Sequence, residues 1–198
     1  MNSTICSVII PTCRHFNEIE NLYQSLVNTS GCDVVATCLQ LTASENRNAG
    51  IEKVKTKIVI MVDDDTFDYP PGWAEELISP MLQDGSIKYV SARILNPNGT
   101  LQQVYGFNPN IKYPTIDIQF APTACCAFWN DGVRFDEGYR GSGYEDTDFI
   151  MQLKKKYSPC RIILNNKCRV KHRNEMKDQA KNCLFNAMRF REKWGFSG

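Results

Sequence analysis

The run Ile58-Val-Ile-Met-Val62 limits the possible folds of this chain more than any other stretch. Five consecutive apolar residues make a strand that is buried on both faces, as in a sheet covered by helices on each side. The run ends in Asp63-Asp64-Asp65. Adjacent carboxylates repel one another, and burial raises the cost of keeping them ionised. In open α/β sheets the carboxyl ends of the strands are where ligands sit. On an extended backbone Asp63 and Asp65, two residues apart, project to the same side. A divalent cation beside a phosphorylated ligand fits these constraints, and a solvated acidic turn is the plain alternative.

The segments around this strand alternate in type. Ser7 to Ile10 is a short buried strand stopped by Pro11, and Ile19, Leu22, Leu26 and Val27 follow helical spacing over 17–28. Val34 to Leu41 is a second strand, and Thr42 with Glu45 makes a capping box that opens a helix toward Lys53. After the central strand, Pro70-Pro71 fits a helix start, with Trp73, Leu77 and Met81 on one face. This β-α-β-α-β-α order predicts an α/β fold with a Rossmann-like, mixed but mostly parallel central sheet flanked by helices.

A smaller half of more antiparallel character follows. Ile87 to Leu95 and Thr100 to Tyr105 flank Asn96-Pro-Asn-Gly99, a hairpin connection. Ile116 to Phe120 and Ala124 to Trp129 are short strands, and the glycine-rich loop Gly138 to Gly143 leads into a helix over 144–156. Arg161 to Leu164 and Arg169 to His172 read as two strands. A last amphipathic helix presents Ala180, Leu184, Ala187, Met188 and Trp194. The expected organisation is one domain over 1–198, with one half over 1–105 and the other over 106–198.

Composition narrows the function classes. The 198 residues carry 42% hydrophobic and 23% charged side chains, with a formal charge of +1, so no global field draws nucleic acid or an anionic membrane. No run is long enough for a membrane span. Nine cysteines without a C-x-x-C pair disfavour zinc ribbons and thioredoxin chemistry, and thiols scattered without a framework suit a reducing compartment.

The loop after the first strand, Pro11-Thr-Cys-Arg-His-Phe16, lacks the glycines of a dinucleotide-binding turn, and no P-loop motif occurs. The Gly138 to Gly143 loop suits a mobile flap better than a phosphate cradle. Arg47, in the helix after the second strand, has a planar fork suited to a base or phosphate, or is an ordinary exposed helical arginine. Glu145, Asp146 and Asp148 open a helix, where they either complement its dipole or hold an ionised carboxylate as a general base. On an extended 169–173, Val170 and His172 face one way, and the imidazole would complete a mixed nitrogen and oxygen shell suited to Mn²⁺.

Taken in order, Ser7-Val-Ile-Ile-Pro-Thr12, Glu45-Asn-Arg-Asn-Ala-Gly-Ile51, Val62-Asp-Asp-Asp65, Phe135-Asp-Glu-Gly-Tyr139, Gly143-Tyr-Glu-Asp-Thr-Asp148 and His172 resemble the GT-A glycosyltransferases, especially the inverting family 2 type. The likeness covers most of the chain. It implies a GT-A fold, with a nucleotide-sugar-binding half over 1–105 and an acceptor-binding half over 106–198. The implied reaction is metal-dependent transfer of a sugar from a nucleotide diphosphate donor, a UDP-sugar by preference, to a glycan or glycoprotein hydroxyl.

The resemblance also implies roles for single residues. Pro11, Thr12, Arg14, Arg47, Asp63 and Asp64 would contact donor, while Asp65 and His172 would ligate Mn²⁺ or Mg²⁺. Asp146 would be the catalytic base with Glu145 beside it, and Trp129, Gly143 and Tyr144 would meet acceptor. One departure is visible: relatives of this type commonly end the second strand with an acid that grips the uracil, whereas here the strand runs into Gln40-Leu41-Thr42.

Rival readings are a retaining GT-A transferase, a sugar-nucleotide nucleotidyltransferase and a non-catalytic sugar-binding module. The nucleotidyltransferase reading lacks its glycine-rich loop after the first strand. Relatives of the Golgi carry a membrane anchor and none is visible here, so the expectation is a bacterial or viral cytoplasmic enzyme, or one domain of a longer polypeptide.

Overall fold

The computed structural model describes residues 5–102, 112–173 and 179–195, with side chains in the last stretch from 182 onward. The elements run β1 (Cys6–Thr12), α1 (Phe16–Ser30), β2 (Asp33–Cys38), α2 (Ala43–Lys53), β3 (Ile58–Val62), β4 (Thr66–Phe67), α3 (Trp73–Gln83) and β5 (Ile87–Leu95). They continue with β6 (Thr115–Asp117), β7 (Cys125–Trp129), α4 (Glu145–Lys156), β8 (Arg161–His172) and α5 (Gln179–Trp194).

All eight strands join one sheet in the order β2-β1-β3-β7-β5-β8-β4, with β6 also on β8. β1, β2 and β3 are mutually parallel, β7 runs against β3 and β5, and β5 is parallel to β8. The expected α/β fold with a mixed central sheet is therefore present. Val8 to Ile10, Ile58 to Val62 and Cys125 to Ala127 are sealed from solvent because helices cover both faces of the sheet. Gly50 lets α2 sit close to it: a Cβ there would meet Ile9 Cδ1 at 3.1 Å and Thr37 Oγ1 at 3.5 Å.

The helix over 43–53 begins as expected, since Thr42 Oγ1 accepts from Glu45 N while Glu45 Oε2 accepts from Thr42 N at 2.8 Å. Three expectations change. β1 continues through Pro11 to Thr12, because its pairing with β3 ends at Ile9 and Met61 and the missing N–H falls where only β2 remains alongside. Residues 161–172 form one strand rather than two, with a bulge between Asn165 and Arg169 where the register to β5 shifts. α5 turns Asn186 and Phe190 inward, whereas Leu184 and Met188 are 74% and 54% exposed. The 96–99 connection turns back as expected, with Asn96 N donating to Thr100 O at 2.8 Å and a bridge from Leu95 to Leu101. The rest of that expected strand, 103–105, lies outside the described residues, as does the expected boundary at 105 and 106.

Candidate active site

The carboxyl ends of β1 and β3, the start of α4 and the end of β8 converge on one side of the sheet. After Val62 the chain turns sharply: Thr66 N and Oγ1 both donate to Asp63 O, at 3.2 and 2.6 Å. The three aspartates therefore lie in a tight turn rather than an extended segment, in which Asp63 and Asp65 still reach one shared point while Asp64 points away from it. β4 then pairs antiparallel to β8, with Thr66 opposite His172, which brings the histidine beside Asp65.

Asp63, Asp65 and His172 each offer a ligand atom, and these atoms all lie within 4.8 Å of one another. Asp65 Oδ1 is 2.9 Å from His172 Nε2, and both side chains are nearly closed off, at 9% and 12% exposure. On the far side of the ring, His172 Nδ1 lies 2.8 Å from Gln102 Oε1. The Gln102 amide nitrogen is directed elsewhere, to Asn96 Oδ1 at 3.3 Å and His172 O at 3.5 Å. Gln102 thus presents an acceptor, so Nδ1 carries a proton. Nε2 of the neutral ring is then a lone pair facing a carboxylate, and two acceptors at 2.9 Å need a proton or a metal ion between them.

The charges agree with that geometry. Burial opposes protonation of His172, but the bond and charge of Asp65, with Asp63 and Asp64 behind it, raise its pKa above the ordinary imidazole value. Burial pushes the Asp63 carboxyl up, against the pull of Arg47 and His172. One nitrogen and two carboxylates around a shared point form a donor set that suits Mn²⁺ or Mg²⁺.

Asp64 turns the other way. Its Oδ2 accepts from Thr12 Oγ1 and lies 3.2 Å from Arg14 Nε, and Arg14 N donates to Thr12 Oγ1 at 2.9 Å. Thr12, Arg14 and Asp64 are therefore one cluster at the end of β1, directly beyond Pro11. Gln40, in the loop after β2 that lacks an acid, donates to Cys13 O at 2.5 Å.

Arg47 is buried rather than an exposed helical arginine, at 6% exposure. It bridges two carboxylates, with Nη1 2.9 Å from Glu145 Oε1 and Nη2 3.6 Å from Asp63 Oδ1, and its guanidinium lies over the Phe135 ring. Neighbouring asparagines hold α2 in place: Asn46 Nδ2 donates to Leu39 O and Leu41 O, and Asn48 exchanges two bonds with the Phe135 backbone. The polar sequence of α2 is thus a set of staples, which its periodicity does not reveal.

Gly143 and Tyr144 both adopt positive φ, +110° and +72°, just before α4. At Tyr144 that conformation is uncommon for a residue with a side chain and marks a constrained entry to the helix. Glu145 Oε2 accepts from Gly143 N, and Asp146 Oδ1 accepts from Thr147 N at 2.7 Å. Burial, reinforced by the charge of Glu145, pushes the Asp146 carboxyl up to about 6. Asp148 is fully buried and structural: it accepts from Trp194 Nε1 at 2.8 Å and Gln152 Nε2 at 2.7 Å and pairs with Lys193.

The loop before α4 is held, not a loose flap. Asn186 of α5, 0% exposed, donates through Nδ2 to Arg140 O and Gly143 O at 2.9 Å and accepts from Arg140 N at 2.9 Å. Tyr144 packs on Phe190, with ring centroids 5.4 Å apart. Trp129 stands apart from this region. It pairs with Ile58 at the opposite end of β3, roughly 16 Å along the strand from Asp63, and its Nε1 donates to Ile87 O at 3.0 Å. The expected acceptor contact of Trp129 is therefore corrected to a structural position. Gln102 and Asn186 were missed by sequence reasoning, since a lone amide has no motif.

Residues 40–136 match the family model described as glycosyl transferase family 2. That match spans just under half of the chain, and the fold is the GT-A fold of the solved structures it resembles. The chain superposes on the crystal structure of GalNAc-T7 with UDP, GalNAc and Mn²⁺ at a TM-score of 0.65 and 15% identity, covering 97% of this chain and 49% of that one. It thus spans about half the length of that relative. Glucosyl-3-phosphoglycerate synthase from Mycobacterium tuberculosis, solved with Mn²⁺, UDP-glucose and phosphoglyceric acid, gives 0.63 at 15% identity, covering 99% of this chain and 82% of that one. A mycobacterial protein gives 0.65 at 14% identity, with coverage of 99% and 76%. No curated protein sequence matches the chain. Among the described residues no helix is long and apolar enough to cross a membrane.

Proposed function

We propose that this chain transfers a sugar from a nucleotide diphosphate donor, a UDP-sugar, to an acceptor hydroxyl on a glycan or glycoprotein, with inversion at the sugar. The observation that carries the reading is the facing pair of acceptors, Asp65 Oδ1 and His172 Nε2, with Asp63 beside them. Asp65 and His172 would hold Mn²⁺ or Mg²⁺, and Asp63 would approach it or a water bound to it. When bound, the cation supplies positive charge against the leaving diphosphate. The structural relatives solved with UDP and Mn²⁺ support this donor class.

The remaining roles belong to the protein's own groups. Pro11, Thr12, Arg14 and Asp64 line the end of β1, where the nucleoside would lie, and Arg47 carries positive charge between Asp63 and Glu145. Asp146 accepts the proton of the acceptor hydroxyl, and Glu145 holds the loop at Gly143 and Tyr144 against which the acceptor would rest. A carboxyl raised to about 6 is ionised at neutral pH and a stronger base than an ordinary aspartate.

Calorimetric titration of UDP with Mn²⁺ tests the donor site. Binding is expected in the unaltered protein and should be lost in Asp65→Ala, and equal heats in both would refute the metal role. NMR comparison of the anomeric configuration of donor and product decides inversion.

A further inference from the structure

Away from this site, at the opposite end of the sheet, two of the nine cysteines meet. Cys6 opens β1 and is buried, and Cys32 lies between the end of α1 and β2. The parallel register pairs Ser7 with Asp33, so Cys6 and Cys32, the latter just before β2 begins, stand one step ahead of that pair. Residues at matching register positions project to the same face, and adjacent strands lie about 4.8 Å apart. That separation falls within the range a disulfide spans. The two sulfurs are in direct contact, 2.7 Å apart. The seven other cysteines include Cys125 and Cys126, whose consecutive positions on β7 send them to opposite faces of the sheet.

We propose that Cys6 and Cys32 form an intramolecular disulfide, a covalent staple across the foot of the β1-α1-β2 unit. The strand register puts the partners in place before any oxidation, so the bond needs no backbone movement. Hydrogen bonding from Cys32 lowers the pKa of the Cys6 thiol, which makes Cys6 the attacking group. With oxidised glutathione as oxidant, the Cys6 thiolate attacks one glutathione sulfur and expels a reduced glutathione. Cys32, on losing its proton, then attacks Cys6 of the mixed disulfide and releases the second glutathione. Two thiols are oxidised and one glutathione disulfide is reduced.

The staple closes a loop between residues 26 apart in sequence. It restricts the unfolded chain and ties β1 to β2 without touching the donor end of the sheet. The proposal does not depend on the assigned activity.

The test uses the full chain held in excess oxidised glutathione, then denatured, alkylated with N-ethylmaleimide, digested and read by mass spectrometry. A Cys6–Cys32 linked peptide is expected, with a mass 2 Da below the reduced pair and alkyl label at the other seven cysteines. Dithiothreitol should remove the link and lower Tm by roughly 6–12 °C. Cys32→Ser should give no link, and Cys32→Ala serves if the serine variant does not fold. Alkyl label on both Cys6 and Cys32 after oxidation, stable glutathione adducts on either, or links scattered among other cysteines would overturn the proposal.

Discussion

Replacing Gln102 by leucine tests the reasoning that builds the metal site, because Gln102 touches no ligand position except through His172. Its Oε1 is the acceptor 2.8 Å from His172 Nδ1, and the side chain is buried at 5% exposure. Leucine keeps most of the volume but offers no acceptor. Nδ1–H is then left without a partner in a closed setting, and the ring is no longer fixed with Nε2 toward Asp65. Loss of such an orienting partner weakens metal affinity by about 10–100-fold, or roughly 1.4–2.7 kcal/mol.

Manganese titration in the presence of UDP reads this directly, with Tm measured alongside to separate misfolding from weakened binding. Gln102→Glu supplies the contrast, since a carboxylate on Nδ1–H retains the orientation and increases ligand basicity. It should bind Mn²⁺ at least as well as the unaltered chain. A Gln102→Leu protein of unchanged stability and unchanged Mn²⁺ affinity would refute the tautomer argument, and with it the use of His172 as a ligand through Nε2.

Other expected outcomes concern the acceptor side. Asp146→Asn should leave UDP and Mn²⁺ binding intact and lower transfer by about 10²–10⁴-fold in a product assay. Because burial and Glu145 push Asp146 up to about 6, kcat/KM should rise with pH through that value and level off above it. A pH profile flat from 5 to 8 would remove Asp146 as the base. Asn186→Ala should cost about 1–3 kcal/mol in urea unfolding, because the Arg140 and Gly143 backbone groups lose their partners, and it should raise acceptor KM more than donor KM. Asp136 is held down to about 2: burial acts against this, but Lys193, Gly138 N and Arg189 outweigh it. Its stabilisation is present above the ordinary aspartate value and lost as pH falls toward 2. Asp136→Asn should therefore destabilise by about 1 kcal/mol at pH 7 and by much less near pH 2.5 in paired urea melts.

The elements were readable where one local rule governs them. Ile58–Val62 and Ile87–Leu95 have the bounds their apolar runs imply, and Thr42 caps α2 as its box predicts. Pro11 misled because the rule against proline in strands is conditional on both neighbours being present, and pairing order is not written locally. α5 misled for a related reason: its buried contacts are polar, from Asn186 to the loop and from Lys193 and Trp194 to Asp148, so an apolar moment points the wrong way. At the site, the acidic turn and His172 were legible as residue types. Gln102 was not, since its role exists only after the 96–99 turn carries it to the end of β8.

The geometry also couples the two halves of the proposed reaction through one side chain. Arg47 lies between Asp63, at the proposed metal end, and Glu145, which borders the proposed base Asp146. Its charge lowers the pKa of both Asp63 and Asp146, against the burial that raises them. A cation held by Asp65 and His172 adds positive charge beside Asp63, and a diphosphate brought with it adds negative charge near Arg47. The field at Asp146 therefore depends on whether the donor site is filled. Arg47→Lys keeps the charge but cannot fork between the Asp63 and Glu145 carboxylates. It should move the Asp146-dependent limb of the pH profile upward as well as weaken UDP binding. A variant that weakened donor binding while leaving that limb in place would show that the two ends of the site titrate independently.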